Sequence, residues 1–185
     1  KDYSVVNNAM DLSNLQYMGP KNPPIFGALR NDFQWRSLTL SVNITYKFGH
    51  YFRKQAISYA DLIAGSSYFS NEDYNRRWRK SGDELVTNIP AMVYPANSTR
   101  DVFYRNSNIH IEKGDLIRLQ DINLGYTLRR SKWLPFASAT VYAYFNNIGL
   151  IWKAAQGNLD PDAVPVGALV YPNPTSYALG LKVSL

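Results

Sequence analysis

Cysteine is absent from all 185 residues, which removes disulfide staples, thiol nucleophiles and thiolate metal sites at once. Histidine is nearly as scarce. His50 and His110 stand far apart without metal-ligand spacing, and no nucleophile–base or paired-carboxylate arrangement is legible. An enzyme is therefore not expected, and neither is a bound cofactor or metal. No apolar run approaches the roughly 18 residues of a membrane helix, so a helical span is excluded. A β-span is not, because a transmembrane strand of about 10 residues alternates and barely moves the mean hydropathy. A charged-then-apolar leader is missing as well: the opening at Lys1 reads like mid-protein sequence, which suggests a piece of a longer chain.

Aromatics, by contrast, are abundant, with 14 Tyr, 8 Phe and 4 Trp, and aromatics favour strands. An all-β protein is the first expectation. The net charge of +6 is scattered except at Arg76–Lys80. No basic-aromatic motif repeats, so a nucleic-acid partner is not expected.

Strand-like alternation recurs along the chain. Residues 26–35 place Leu29, Phe33 and Trp35 opposite Arg30, Asp32 and Gln34. Residues 38–48 have every even position apolar and every odd position polar. Only Arg36 and Ser37 separate these two runs, which predicts a tight antiparallel hairpin. The run 116–128 alternates from Ile122 onward, and 176–185 alternates to the last residue. In 138–149 two readings stay open: either Val141, Ala143 and Phe145 or Tyr142, Tyr144 and Ile148 form the outward face.

Between the runs, short connections at 36–37 and 129–136 alternate with long ones at 49–115 and 150–175. A short helix is expected over Asn71–Lys80. Compact soluble domains rarely carry such loops inside a sheet, whereas outer-membrane barrels have short turns on one side and long loops on the other. The predicted fold is the last five strands of a transmembrane antiparallel β-barrel, with residues 1–25, 49–115 and 150–175 as outer loops of one barrel domain. In that orientation Trp35, Tyr126 and Trp133 fall at the periplasmic rim, and Tyr46, Phe48 and Tyr177 at the outer rim, as membrane-interface aromatics require.

Several motifs then occur in order: Tyr17–Lys21, Arg77–Asp83 with Asn88-Ile-Pro90, Glu112–Leu128, Tyr144–Ile148, Asn158–Asp162 and Tyr171–Pro174 ahead of the terminal strand. Together they resemble the TonB-dependent outer-membrane transporters of the SusC/RagA type over essentially the whole chain. The resemblance implies the carboxyl-terminal portion of a barrel of roughly 22 strands with an internal plug. It also implies a Gram-negative outer-membrane location and an energy-coupled import of oligosaccharides or peptides. The implied partners are the amino-terminal remainder of the transporter, a SusD-type lipoprotein lid, TonB acting through the plug, and membrane lipid. The chain departs from the family at Leu185, where an aromatic residue is usual. Other readings of the same pattern are a soluble β-sandwich that binds glycans and a passive porin.

Candidate substrate or lid contacts are Tyr74, Trp78, Arg79, Tyr94 and Trp152, with Tyr68 and Phe69 beside them. Each has a plainer role in packing the loops, because an ordered long loop must bury something. Arg76, Arg77, Arg79 and Lys80 suit an anionic substrate or lipopolysaccharide phosphates; the plainer reading is a solvated helix face. Asp160-Pro-Asp162 reads as a turn before it reads as a carboxylate pair.

Overall fold

The computed structural model describes residues 3–4, 15–65, 71–129, 137–163 and 173–184. Its main element is a five-stranded antiparallel sheet in the order β1-β2-β5-β6-β7. The strands are β1 Ile25–Trp35, β2 Leu38–Phe48, β5 Leu116–Arg129, β6 Ser138–Lys153 and β7 Ser176–Ser184. Between β2 and β5 the chain passes through β3 Tyr51–Arg53 and β4 Ile111–Lys113, which form a separate two-stranded ribbon. The expected five strands are all present, and the chain is all-β with few helices; the five strands do not close on themselves. No helix among the described residues is long and apolar enough to cross a membrane, which says nothing about strands.

The register assigns faces. β1 and β2 pair from Ile25↔Phe48 to Trp35↔Leu38 around the Arg36-Ser37 turn, with Arg36 at φ 55°. Directly opposite residues share a face, so Leu29, Phe33 and Trp35 line up with Ile44, Leu40 and Leu38. Across β2 and β5, Leu38↔Tyr126, Leu40↔Leu124 and Val42↔Ile122 continue that apolar face. On β6 it comprises Ala139, Val141, Ala143 and Phe145, and on β7 Tyr177, Leu179, Leu181 and Val183. The open register of 138–149 is thereby resolved: Tyr142 and Tyr144 belong to the polar face. The Tyr142 ring lies over Gly180, where any side chain would overlap it.

Alternation in the first part of β5 is hidden by a bulge. The pairing steps from Asn43↔Asp121 to Ile44↔Leu119, leaving Gln120 as an extra residue. That resets the parity, so Leu119 and Ile117 rejoin the apolar face and Arg118 the polar one. β6 compensates with irregularities beside Asn147 and Ile151, and Asn147 takes the left-handed φ of 52° that Asn tolerates at a bulge. With these offsets the strand runs to Lys153, beyond the residue 149 that periodicity alone suggests.

Two compact units emerge. The wall unit contains Pro20–Tyr51, Lys113–Ala163 and the terminal strand. The loop unit is built mainly from Phe52–Glu112 and carries helices α1 Tyr59–Ile63, α2 Asn71–Arg76 and α3 Ser98–Asn106. α2 ends at Arg76, so the helix expected over Asn71–Lys80 stops before Trp78. α3 is capped by Asn97, whose side-chain oxygen accepts from the Arg100 amide at 3.0 Å.

Candidate functional site

On the polar face of the wall the hydrogen-bonding side chains pair with one another across strands. Asp121, only 5% exposed, accepts from Asn43 Nδ2 at 2.8 Å and from Arg30 Nη2 at 3.4 Å. Thr127 and Thr140 hydroxyls meet at 2.9 Å, and Gln120 donates to Asn146. Toward the Arg36-Ser37 hairpin this face holds a hollow of about 460 Å³ lined in part by Asp32, Gln34, Ser41, Asn123, Thr140 and Tyr142.

At the end where the long connections leave the sheet, charges concentrate. Arg118, 7% exposed, donates through Nη2 to both carboxylate oxygens of Asp160 at 2.6 and 2.7 Å and through Nη1 to Asn147 Oδ1 at 2.8 Å. Lys47 Nζ lies 2.7 Å from Asp162, which is also 3.7 Å from Arg118 Nε. Asp160-Pro-Asp162 is thus a turn, as its sequence suggests, and both of its carboxylates are engaged. Nearby, the Gly49 amide donates to Asp115 at 2.6 Å. Burial pushes the His50 imidazole pKa down, against the raising effect of Asp115 and Asp162.

The loop unit is organised differently. Ala56, Ile57, Tyr59, Ile89 and Tyr104 form a small apolar core with Leu62 and Tyr74 packed against it. At its edge the Asp101 carboxylate, 1% exposed, accepts from the Ala60 amide at 2.8 Å and the Ser58 hydroxyl at 3.4 Å. The Tyr59 hydroxyl donates to Pro90 O at 2.5 Å, and burial pushes its pKa up to about 12. His110 meets the Tyr104 ring edge-on at 4.5 Å; burial, then Lys54 and Arg53, hold its pKa down.

Four of the sequence-derived contact residues, Tyr74, Trp78, Arg79 and Tyr94, belong to this unit, each with partners of its own or exposed. The Arg77 guanidinium sits 3.9 Å over the Tyr74 ring and donates to Tyr74 O. Trp78 Nε1 donates to Glu84 at 2.9 Å, which together with the Gly82 amide holds that carboxyl below its usual range. Arg79 donates to Asn75 O, and its backbone amide to Asp83. Tyr94 is 83% exposed. Trp152 belongs to the wall unit, where it tilts against Phe48 at 6.4 Å, with Tyr46 stacked on Phe48 at 5.7 Å.

Of the rim aromatics, Trp35 shares a row with Leu38 and Tyr126 at the hairpin end. Tyr177 pairs with Phe145, in the row of Ile122 and Val42 rather than that of Tyr46. Trp133, Tyr68 and Phe69 lie outside the described residues.

The charged residues of the wall's polar face were missed as site residues. Their signal was present: Arg118 and Asp121 are charges inside a strand whose neighbours are apolar, and Asp160 and Asp162 flank a proline that fixes their spacing.

No family model matches this sequence, and no curated protein matches it. Solved structures do. The chain is similar to one of the RagAB peptide importer in an open-open state, with TM-score 0.61 and 19% identity, covering 89% of this chain and 17% of that one. In the closed-closed state the values are 0.65 and 20%, covering 91% and 18%. A further structure of the RagAB peptide transporter gives 0.67 and 17%, covering 95% and 19%. At this identity the likeness is one of fold, and the chain spans less than a fifth of each of those chains.

Proposed function

We propose that this chain forms the carboxyl-terminal wall and outer loops of an energy-coupled outer-membrane importer of the SusC/RagA type. The observation that carries the reading is the inversion of the wall: Tyr177 and Leu179 are each 81% exposed and Trp35 69%, while Arg118 and Asp121 on the other face are buried. Each Leu- or Phe-sized side chain left in water forgoes about 1.5–3 kcal/mol. Summed over the exposed positions of five strands, that exceeds the roughly 5–15 kcal/mol by which a domain is stable. Lipid on the apolar face and a wet or plugged interior on the polar face remove the conflict.

The outer edges of β1 and β7 have no neighbour among the described strands. Unpaired edges are untenable in hydrocarbon, so further strands come from the amino-terminal remainder, which also supplies the plug and its TonB contact. A SusD-type lid docks on residues within 49–115 and 150–175. Because the structurally similar proteins are peptide importers, peptides are the substrate class to try before oligosaccharides. The chain provides passage and binding surfaces and carries out no chemical step of its own.

Intact-mass analysis of the detergent-extracted protein, before and after heating, tests this. Further barrel strands and a plug, in the same polypeptide or in a partner released by heating, are the expected result. A chain that is monomeric and soluble without detergent would overturn it in favour of a soluble glycan-binding module, and a closed barrel lacking any plug would indicate a passive porin. If a lid still co-purifies after both long loops are shortened, lid docking at those loops is wrong.

A further inference from the structure

Strands β6 and β7 are direct neighbours, paired from Ser138↔Ser184 to Asn146↔Ser176, and a short turn would suffice to join them. The chain instead makes an excursion. After Lys153 the Ala154 amide donates to Asp115 O at 2.9 Å, just ahead of β5. Lys153 Nζ donates to Gly157 O and Leu159 O at 2.6 and 2.7 Å, curling the segment back over its own strand. Asp160 then sits on Arg118 of β5, and Asp162 on Lys47 of β2. On the return, Asn147 Nδ2 donates to Asn173 O and the Thr175 hydroxyl donates to Asn147 O. The described part of the segment thus crosses from β6 over β5 to β2 on the polar face.

We propose that Arg118 and Lys47 hold Ala154–Ala163 as a charge-latched strap across the loop end of the polar face, and that undoing the latch uncovers that end. The turn is built to act as one piece. Pro161 is buried, the Asp162 amide donates to Asp160 Oδ1 at 3.0 Å, and the Ala163 amide donates to Asp160 O at 3.0 Å. The two carboxylates therefore engage or leave together.

The two ion pairs differ in kind. Lys47–Asp162 is open to solvent, with side chains 39% and 31% exposed. Salt screens such a pair, since the Debye length shrinks to about 3 Å at 1 M. Arg118–Asp160 is bidentate and buried, at 8% and 16%. Removing its carboxylate leaves a buried guanidinium with one partner fewer. The exposed pair sets how easily the strap lifts, and the buried pair sets where it seats.

The strap rests on the geometry of these strands alone; its role as a cover for an interior passage rests on the importer reading. Because the chain has no cysteine, a nitroxide on Asn158→Cys reports the strap directly in the detergent-extracted complex. An immobile spectrum is expected in the parent and loss of the immobile component in Asp160→Asn. Partial loss is expected in Lys47→Glu, and a larger loss in Asp162→Asn, whose carboxylate also lies 3.7 Å from Arg118 Nε. Raising salt from low to 1 M mobilises the parent only as far as Lys47→Glu does.

Unchanged spectra in Asp160→Asn and Lys47→Glu, or a label already mobile in the parent, overturn the strap. If Asp160→Asn fails to assemble, the solvent-exposed Lys47→Glu variant still decides. A label that follows the ion pairs in a protein soluble without detergent upholds the strap while the importer reading falls.

Discussion

The wall and the loop unit are made by one chain under opposite rules. In the loop unit the large apolar side chains Ile57 and Tyr59 are fully buried, as water requires. In the wall, Leu179 and Tyr177 are bare and Arg118 is covered. Composition cannot distinguish the two, because both draw on Tyr, Leu, Arg and Asp. What differs is which partner the polar groups take: backbone amides around Asp101 in the loop unit, side chains across strands around Asp121 and Arg118 in the wall. A residue type carries no fixed address; its address is set by the face of the element that holds it and by what that face packs against.

The sharpest way to break this contrast uses two adjacent positions on β2. Val42 lies on the apolar face and Ser41 beside the polar hollow. Val42→Arg is expected to cost about 2–4 kcal/mol near a bilayer midplane, and Ser41→Arg about 0–1 kcal/mol. Urea unfolding in lipid vesicles measures both, and equal losses would remove the distinction between the faces.

Next in size is Asp101→Ala in the loop unit. It leaves the Ala60 amide and the Ser58 hydroxyl without their shared acceptor, at a cost of about 2–3 kcal/mol. Limited proteolysis is expected to open residues 52–112 while the wall stays resistant; simultaneous loss of both would mean that the units do not fold by separate rules.

The smallest effect is a pH dependence read at His110 in the loop unit. His110 has its pKa depressed by burial and by Lys54 and Arg53. The stability it contributes is complete above its ordinary value of 6.5 and is lost as pH falls through the lowered value. Asp73, raised by burial, works in the opposite sense, contributing stability as pH falls through its own raised value. Hydrogen exchange is therefore expected to show the protection of α3 declining below pH 6.5 and flat in His110→Phe. A decline of the same size in both proteins would assign it to other groups.

The strands were legible because a two-faced strand writes its period into the sequence whichever solvent lies outside: Leu38–Phe48 gave both ends of β2. The period fell silent where the backbone slipped. Around Gln120 and again near Asn147 and Ile151, a bulge changes which parity is apolar, so the first residues of β5 and the last of β6 could not be assigned by counting. In the loop unit α3 was missed because a nine-residue helix with polar residues on most positions has little apolar stripe to detect; Asn97 ahead of it was its best signal. The charged cluster on the polar face was missed for a further reason. Arg118, Asp160 and Lys47 lie far apart in sequence, and only the strand order brings them together.

The extra residue at Gln120 has a consequence for how this strand tolerates change in length. Deleting Gln120 would return β5 to plain alternation with Leu119 still outward and Arg118 still inward. In β2, which alternates without interruption, losing any central residue turns one half of the strand inside out. A lineage of such sheets can therefore lose a codon at the bulge and keep every neighbouring side chain on its own face, and nowhere along β2 does it have that freedom.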